Sequence, residues 1–229
     1  MLGTIVNTAA ILTGSVIGSV FKKAIGEKQQ NALFTAMGLA AAGLGVNAVV
    51  QNMPRSNFPV LFIVSLALGS LLGTTLDLDA RFQKLADRCS VGQLSKGLST
   101  GILLFCIGTL SILGPINSAL TGDNTYLFTN ATLDLVTSMV LASTYGIGIA
   151  LTAIVLFCWQ GSIYLLATLL GQFMTTDMMT ELSIVGGFLI ASSGLGILNI
   201  KDCKTMNILP SLIVPVAFCW LAQYLPFFQ

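Results

Sequence analysis

The chain has 229 residues, of which 55% are hydrophobic and only 8% are charged, with ten basic and nine acidic side chains. A soluble domain carries about 25% charged residues, so this composition excludes a water-soluble globule. The mean hydropathy of +0.88 and the net charge of +1 exclude a disordered chain. The small net charge also excludes a nucleic-acid partner, which would need many basic residues. The absence of histidine excludes sites that need imidazole.

Seven long segments lack Asp, Glu, Lys and Arg, and a transmembrane helix needs about 20 such residues. The segments are residues 1–21, 29–54, 56–76, 97–122, 135–176, 182–200 and 205–229. The run 135–176 is long enough for two crossings, and its sequence Tyr145-Gly146-Ile147-Gly148 predicts a turn between helices at about 126–144 and 148–170. Apolar residues do not alternate as in a β-barrel. The sequence therefore predicts an all-α polytopic membrane protein with about eight transmembrane helices.

The basic residues predict the topology, because Lys and Arg in short loops stay on the cytoplasmic side. Eight crossings with both termini outside place nine basic residues inside and only Arg55 outside. A single crossing over residues 126–170 would weaken this bias to seven against three. Lys22 and Lys23 follow the first helix, so we expect it to be retained rather than cleaved as a signal peptide. The polar segment 77–96 has helical amphipathic spacing and is predicted to lie along the inner membrane surface, either with a partner or as a plain connector.

An internal repeat is visible at an offset of 151 residues. The recurring features are Gly43-Leu44-Gly45-Val46 with Gly194-Leu195-Gly196-Ile197, and Pro59 with Pro210. We predict a single membrane domain over 1–229, with one copy of the repeat at about 1–76 and a second copy at about 146–229. The part between the copies consists of segment 77–96 and of residues 97–145, which are predicted to form helices at 97–116 and 126–144. Small-residue-rich helices are expected at 31–50 and 182–200. Five crossings separate equivalent helices, so the copies should be inverted, as in many secondary transporters. Chance similarity among Gly-rich helices is the alternative.

Asp134 is the acidic residue predicted to lie inside a transmembrane helix. A charged side chain at the bilayer centre costs about 2.5–3.5 kcal/mol, so its presence there suggests a function. Asn130, Thr137 and Ser138 lie at helical spacing from it and place polar groups on one face. This face is a candidate binding site for a proton or a cation. The alternative is that the helix begins at Thr129 or Asn130 and that Asp134 serves its first turn near the outer surface.

Buried amides and paired glycines supply the other candidates. Asn7 and Gln160 either line a solute path or hold helices together. The repeated glycines either allow close helix packing or break the helix and expose backbone groups to an ion. The candidate ion- or substrate-binding residues are Asp134, Asn130, Asn7, Gln160, Gly43, Gly45, Gly194 and Gly196.

Catalytic chemistry has little support in the sequence. The five cysteines are an odd number without CxxC spacing, which favours reduced thiols over disulfides or zinc. No Gly-rich phosphate-binding motif with Lys-Ser/Thr is present, so ATP-driven transport is not encoded. We expect no catalytic residues, no metal site, no cofactor and no enzyme activity.

Several of these segments together resemble one known family. They are Gly3-Thr4-Ile5-Val6-Asn7 with Gly14 and Gly18, Phe105-Cys106-Ile107-Gly108 with Gly114-Pro115, Leu133-Asp134, Tyr145-Gly146-Ile147-Gly148, and Gln160-Gly161-Ser162-Ile163. The chain resembles the YqgA-like bacterial inner-membrane proteins, domain-of-unknown-function family 554, over essentially its whole length. The resemblance implies an inner-membrane location and an uncharacterised membrane protein or transporter. It implies no set of catalytic residues.

These observations favour a secondary transporter of a small solute or ion across the bacterial inner membrane, coupled to protons or another cation. The alternatives are a passive oligomeric channel and a non-transporting structural membrane protein. The expected partners are the lipid bilayer, an unidentified small solute or ion, and further copies of the chain in a number that the sequence does not fix.

Overall fold

The computed structural model describes residues 1–20, 26–81, 84 and 95–222, and every regular element within these ranges is a helix. Short 3-10 helices lie at Met53–Arg55, Ile147–Leu151 and Leu209–Leu212. The α-helices are α1 (Leu2–Val20), α2 (Glu27–Asn52), α3 (Leu61–Leu76), α4 (Ser95–Ile107), α5 (Thr109–Thr121), α6 (Thr125–Tyr145), α7 (Thr152–Gly171), α8 (Thr176–Ile197), α9 (Thr205–Ile208) and α10 (Ile213–Ala222).

Five helical segments of the described chain are long and apolar enough to cross a membrane. They are Leu2–Val20, Glu27–Arg55, Ile147–Gly171, Thr176–Ile197 and Thr205–Ala222. The bent pair formed by α4 and α5 is a sixth candidate, and α3 is apolar but shorter. The predicted class, an all-α protein with several membrane spans, is therefore confirmed. The count of eight crossings stays a prediction.

Helix α1 shows how the chain distributes its side chains. Thr4, Asn7 and Ser15 are fully buried, whereas Leu2 and Val20 are 62% and 68% exposed. A soluble protein buries its large apolar residues and exposes its polar ones. The reverse arrangement suits a lipid environment, where polar groups must be satisfied by neighbouring helices and apolar groups face hydrocarbon.

The turn predicted within the run 135–176 is present. Helix α6 ends at Tyr145, and Gly146 follows with a φ of 84°, while its backbone N–H donates to the carbonyl of Ala142. A positive φ is readily adopted only by glycine. The chain then enters the 3-10 helix Ile147–Leu151 and continues into α7. The predicted helices at about 126–144 and 148–170 correspond to α6 and to this combined segment.

The prediction of a single helix at 97–116 is wrong, because the helix is interrupted at Gly108. This residue has a ψ of 135°, and the helices on either side are bent by 42° relative to each other. Glycine has a low helix propensity and adopts the extended conformation at little cost, so an interruption at this residue is physically reasonable. Helix α5 then runs to Thr121, beyond the predicted end.

The helix predicted at 182–200 begins earlier, at Thr176. The hydroxyl of Thr175 accepts a hydrogen bond from the backbone N–H of Met178 at 3.2 Å, which caps the first turn. Glu181 consequently lies within α8 rather than in the preceding loop. The predicted amphipathic segment 77–96 is described only in part: residues 78–81 are helical, and residues 82–83 and 85–94 lie outside the described ranges.

The chain divides into two compact units. Unit 1 comprises Met1–Met37 and Arg81–Gln172, and unit 2 comprises Gly38–Ala80 and Phe173–Gln229. Apolar residues of α1, α4, α6 and α7 form the core of unit 1; they include Ile11, Phe105 and Leu156. In unit 2, Leu61, Met178 and Cys219 form a smaller cluster covered by aromatic residues. The boundaries predicted for the two sequence copies stay a prediction.

Within unit 1, α1 packs parallel to α6 and antiparallel to α7. A Cβ atom added to Gly3 would meet Leu127, and one added to Gly14 would meet Ser138, so contacts advance along both helices together. Toward α7 the order is reversed, because Met1 lies near Gly161 while Ile11 packs in the cluster that contains residues 149–156 of the chain. The small residues of α1 let its backbone approach α6 closely.

Within unit 2, glycines bring two pairs of antiparallel helical segments together. Gly45 of α2 lies against Gly187 of α8, and Gly194 of α8 lies against Ala42 of α2. Similarly, Gly69 and Gly73 of α3 lie against Ser211 and Asn207, respectively. In both pairs, a higher residue number on one helix meets a lower number on the other. The later parts of the chain therefore run opposite to α2 and α3.

Candidate functional site

Asp134 lies in the middle of α6. Nine residues precede it in the helix and eleven follow, which at 1.5 Å per residue places it roughly 14 Å and roughly 16 Å from the two ends. Its side chain is only 4% exposed, and one carboxylate oxygen accepts a hydrogen bond of 2.9 Å from the amide nitrogen of Asn130. Because α6 already begins at Thr125, the alternative that Asp134 serves the first turn of a later helix is wrong.

The amide of Asn7 is the second component of the site. It is fully buried on α1 and faces the Asp134 carboxylate closely enough to interact with it. Neither its nitrogen nor its oxygen, however, makes a hydrogen bond of good geometry. The hydroxyl of Thr4, three residues earlier in the same helix and also fully buried, likewise has no hydrogen-bond partner among the residues that the structure describes. The structure thus brings Asn7, Asn130 and Asp134 together.

The helices around this carboxylate carry no basic side chain apart from Lys96, the second residue of α4. Residues 1–20 and 97–172, which supply α1, most of α4, and α5 to α7 of unit 1, contain no Lys or Arg. The buried thiol of Cys106, on the last turn of α4, is close enough to Asp134 to experience its charge. A buried carboxylate without a basic partner is costly in its ionised form, so it is suited to bind a proton or a cation.

Gln160 has a different partner from the residues near Asp134. Its amide nitrogen donates a hydrogen bond of 3.0 Å to the hydroxyl of Ser111, and both side chains are fully buried. Its amide oxygen accepts no hydrogen bond from any described residue. Ser111 lies in the first turn of α5, just after the interruption at Gly108. The hydrogen bond fits the helix-joining alternative given for Gln160, while the oxygen remains available to a donor.

The four repeated glycines do not interrupt their helices. Helix α2 is continuous through Gly43 and Gly45, and α8 is continuous through Gly194 and Gly196. The helix break suggested for these glycines is therefore wrong. Gly45 and Gly194 lie at close backbone contacts, which favours the packing alternative, whereas a Cβ atom on Gly43 would meet no atom within 4 Å. A binding role for these glycines stays a prediction.

Glu181 is a buried polar residue that the sequence reasoning placed in a loop. It is 1% exposed and accepts hydrogen bonds from the hydroxyl of Ser56 and, at 3.3 Å, from the backbone N–H of Phe58. These bonds attach the segment before α3 to α8. The helix-capping threonine at position 175, six residues earlier, was the sequence signal that could have placed Glu181 inside the helix.

The fold and this site define a helical membrane protein with a carboxylate buried within its bundle. The chain belongs to the DUF554 family, described as a protein family of unknown function, whose model matches residues 2–220. It is 57% identical over 215 residues to the uncharacterized membrane protein YdfK of Bacillus subtilis strain 168, covering 94% of each chain. It is also 29% identical over 237 residues to the uncharacterized protein YqgA of Escherichia coli strain K12, covering 98% of this chain and 99% of the relative. No solved structure matches the chain significantly.

Proposed function

We propose that the protein is a secondary transporter that moves a small solute or an ion across the bacterial inner membrane, coupled to a proton or another cation. The observation that carries this proposal is Asp134: a carboxylate at the middle of α6, buried beside two amides and without a basic partner among the described residues. Intramembrane carboxylates are costly and typically belong to ion or proton pathways. A structural role alone gives no reason for retaining the charge.

An inverted repeat supports a carrier. Each helix of the first sequence copy packs antiparallel to its counterpart: α1 to α7 in unit 1, and α2 to α8 and α3 to the segment Thr205–Ala222 in unit 2. Copies related by a twofold axis in the membrane plane have their equivalent helices in opposite directions. Each unit accordingly contains helices of both copies. Two inverted sequence copies can exchange conformations, and such an exchange would open a central site first to one side of the membrane and then to the other, as alternating access requires.

The packing directions also agree with the eight-crossing topology, while the basic residues favour both termini outside. In this topology, α1 and α6 run inward, so they should be parallel, and α2 and α8 should be antiparallel. Both relations agree with the glycine contacts. The same topology places nine basic residues inside and one outside, as the positive-inside rule favours. The partners of this transporter are lipid, the transported solute or ion, and further copies of the chain; an enzymatic activity is not part of the proposal.

Purified protein reconstituted into liposomes tests the proposal. We expect proton or cation flux that saturates with ion concentration and shows counterflow, without unitary currents in planar bilayers. Asp134→Asn, which keeps the shape of the side chain but removes its charge, should reduce this flux at least tenfold. Asp202→Asn, at an exposed carboxylate in the loop before α9, is the matched control and should retain it.

The outcomes separate the functional classes. Unitary currents that persist in Asp134→Asn would favour a channel over a carrier. Proton and cation fluxes equal to those of protein-free liposomes, in a monodisperse and folded preparation, would contradict the ion-coupled proposal.

A further inference from the structure

The face between α1 and α6 contains more polar atoms than the surrounding residues satisfy. Within the described part of the chain, the hydroxyl of Thr4 and both polar atoms of Asn7 lack a hydrogen bond of good geometry, although both side chains are fully buried. Such atoms are rare in native proteins and point to a bound water or ion at the site. The Asn7 amide faces the carboxylate of Asp134, and Thr4 lies three residues before Asn7 in the same helix.

The described helices around the Asp134 carboxylate offer little positive charge to balance it. No Lys or Arg occurs in residues 1–20 or 97–172, and Asn130 supplies the carboxylate with only a neutral hydrogen-bond donor.

We infer that Asp134, Asn7 and Thr4 bind a monovalent alkali-metal cation, Na⁺ or K⁺, between α1 and α6. One carboxylate balances one positive charge, and carboxylate, amide and hydroxyl oxygens are the hard ligands that such ions prefer. A proton on Asp134 would provide a single donor and could not satisfy the oxygen atoms of both Asn7 and Thr4. A divalent ion would leave an excess positive charge in a site that holds only one carboxylate.

The inference deepens the proposed function, because it names the coupling ion, but binding can be measured without transport. Purified protein in detergent should bind radiolabelled Na⁺ saturably at one ion per chain, and K⁺ or unlabelled Na⁺ should compete whereas choline should not. Asp134→Asn should weaken binding at least tenfold, and so should Asn7→Leu, which removes two polar atoms at a similar side-chain volume. Asp202→Asn should bind as the wild type does.

Folding of each variant is checked by size-exclusion chromatography, and the melting temperature is compared in NaCl and choline chloride at equal ionic strength. Na⁺ should raise the melting temperature of the wild type and of Asp202→Asn, but not of Asp134→Asn. The absence of saturable Na⁺ binding that K⁺ competes for, or undiminished binding by folded Asp134→Asn, would overturn the inference. If binding is confirmed while liposomes show no flux, the cation site stands and the transporter proposal fails. Proton-coupled flux without alkali-cation binding would overturn the cation site and leave the transporter proposal standing.

Discussion

Two glycines of α2, separated by one residue, should respond oppositely to the same substitution. A Cβ atom at position 45 would lie 2.5 Å from the carbonyl oxygen of Gly187 and 2.8 Å from the Cα atom of Ala191. Ordinary contact begins near 3.4 Å, so α2 and α8 would have to separate by about 1 Å at backbone atoms that cannot rotate away. At Gly43, a Cβ atom would meet nothing within 4 Å.

Overpacking of this kind costs about 1–3 kcal/mol. Replacing a helical glycine by alanine gains about 1 kcal/mol in helix propensity, and this gain applies to both positions. The difference between Gly45→Ala and Gly43→Ala therefore isolates the steric cost. With about 2–4 °C per kcal/mol for a chain of this size, Gly45→Ala should melt roughly 2–12 °C below Gly43→Ala.

Thermal unfolding in detergent, followed by tryptophan fluorescence, measures this difference directly. Gly43→Ala should melt at or slightly above the wild-type temperature. Equal melting temperatures for the two variants, or a lower one for Gly43→Ala, would refute the close α2–α8 contact in unit 2. Either result would also weaken the evidence that equivalent helices of the two sequence copies pack antiparallel.

Two further predictions concern the loops. The pKa of Asp123 is held below its ordinary value mainly because the hydroxyl of Thr125 donates to its carboxylate, so the stabilisation is present above about pH 4 and is lost as the pH falls through the lowered pKa. Thr125→Val should therefore lower the melting temperature at pH 7, and this deficit should shrink as the pH is lowered through the pKa of Asp123; a deficit independent of pH would contradict this reason. In a background in which Cys89 and Cys158 are replaced by serine, Cys203 should react with a membrane-permeable maleimide but not with an impermeable one added to intact cells, because the loop before α9 is predicted to be cytoplasmic. Labelling by both reagents would contradict a cytoplasmic position of this loop.

Much of the fold follows from the sequence, because the bilayer imposes a simple requirement on composition. Long uncharged runs predicted the helical membrane class, and the glycines after Tyr145 predicted the turn that ends α6. The interruption at Gly108 was not predicted, since glycine is common in membrane helices and its conformation depends on neighbouring segments. The early start of α8 was missed because Asp177 and Glu181 precede the uncharged run 182–200, although Thr175 caps the helix and Glu181 is buried.

The sequence predicted which residues belong to the candidate site, but not how residues from different helices come together there. Helical spacing placed Asn130 beside Asp134, because residues four apart share a helix face. The approach of Asn7 to the carboxylate depends on the packing of α1 along α6, which joins residues far apart in the sequence. The hydrogen bond between Gln160 and Ser111 is likewise tertiary, and no local pattern indicates it.

The opposite orientation of the two sequence copies in the membrane is the claim on which the transporter proposal depends, and reporter fusions measure it most directly. An alkaline phosphatase or a green fluorescent protein joined after Ser56 reports the side of the loop between α2 and α3. The same reporters joined after Thr205 report the side of the equivalent loop between α8 and α10. The inverted arrangement predicts the first junction outside and the second in the cytoplasm. Both junctions on the same side would contradict it, and the transporter proposal would lose its structural basis.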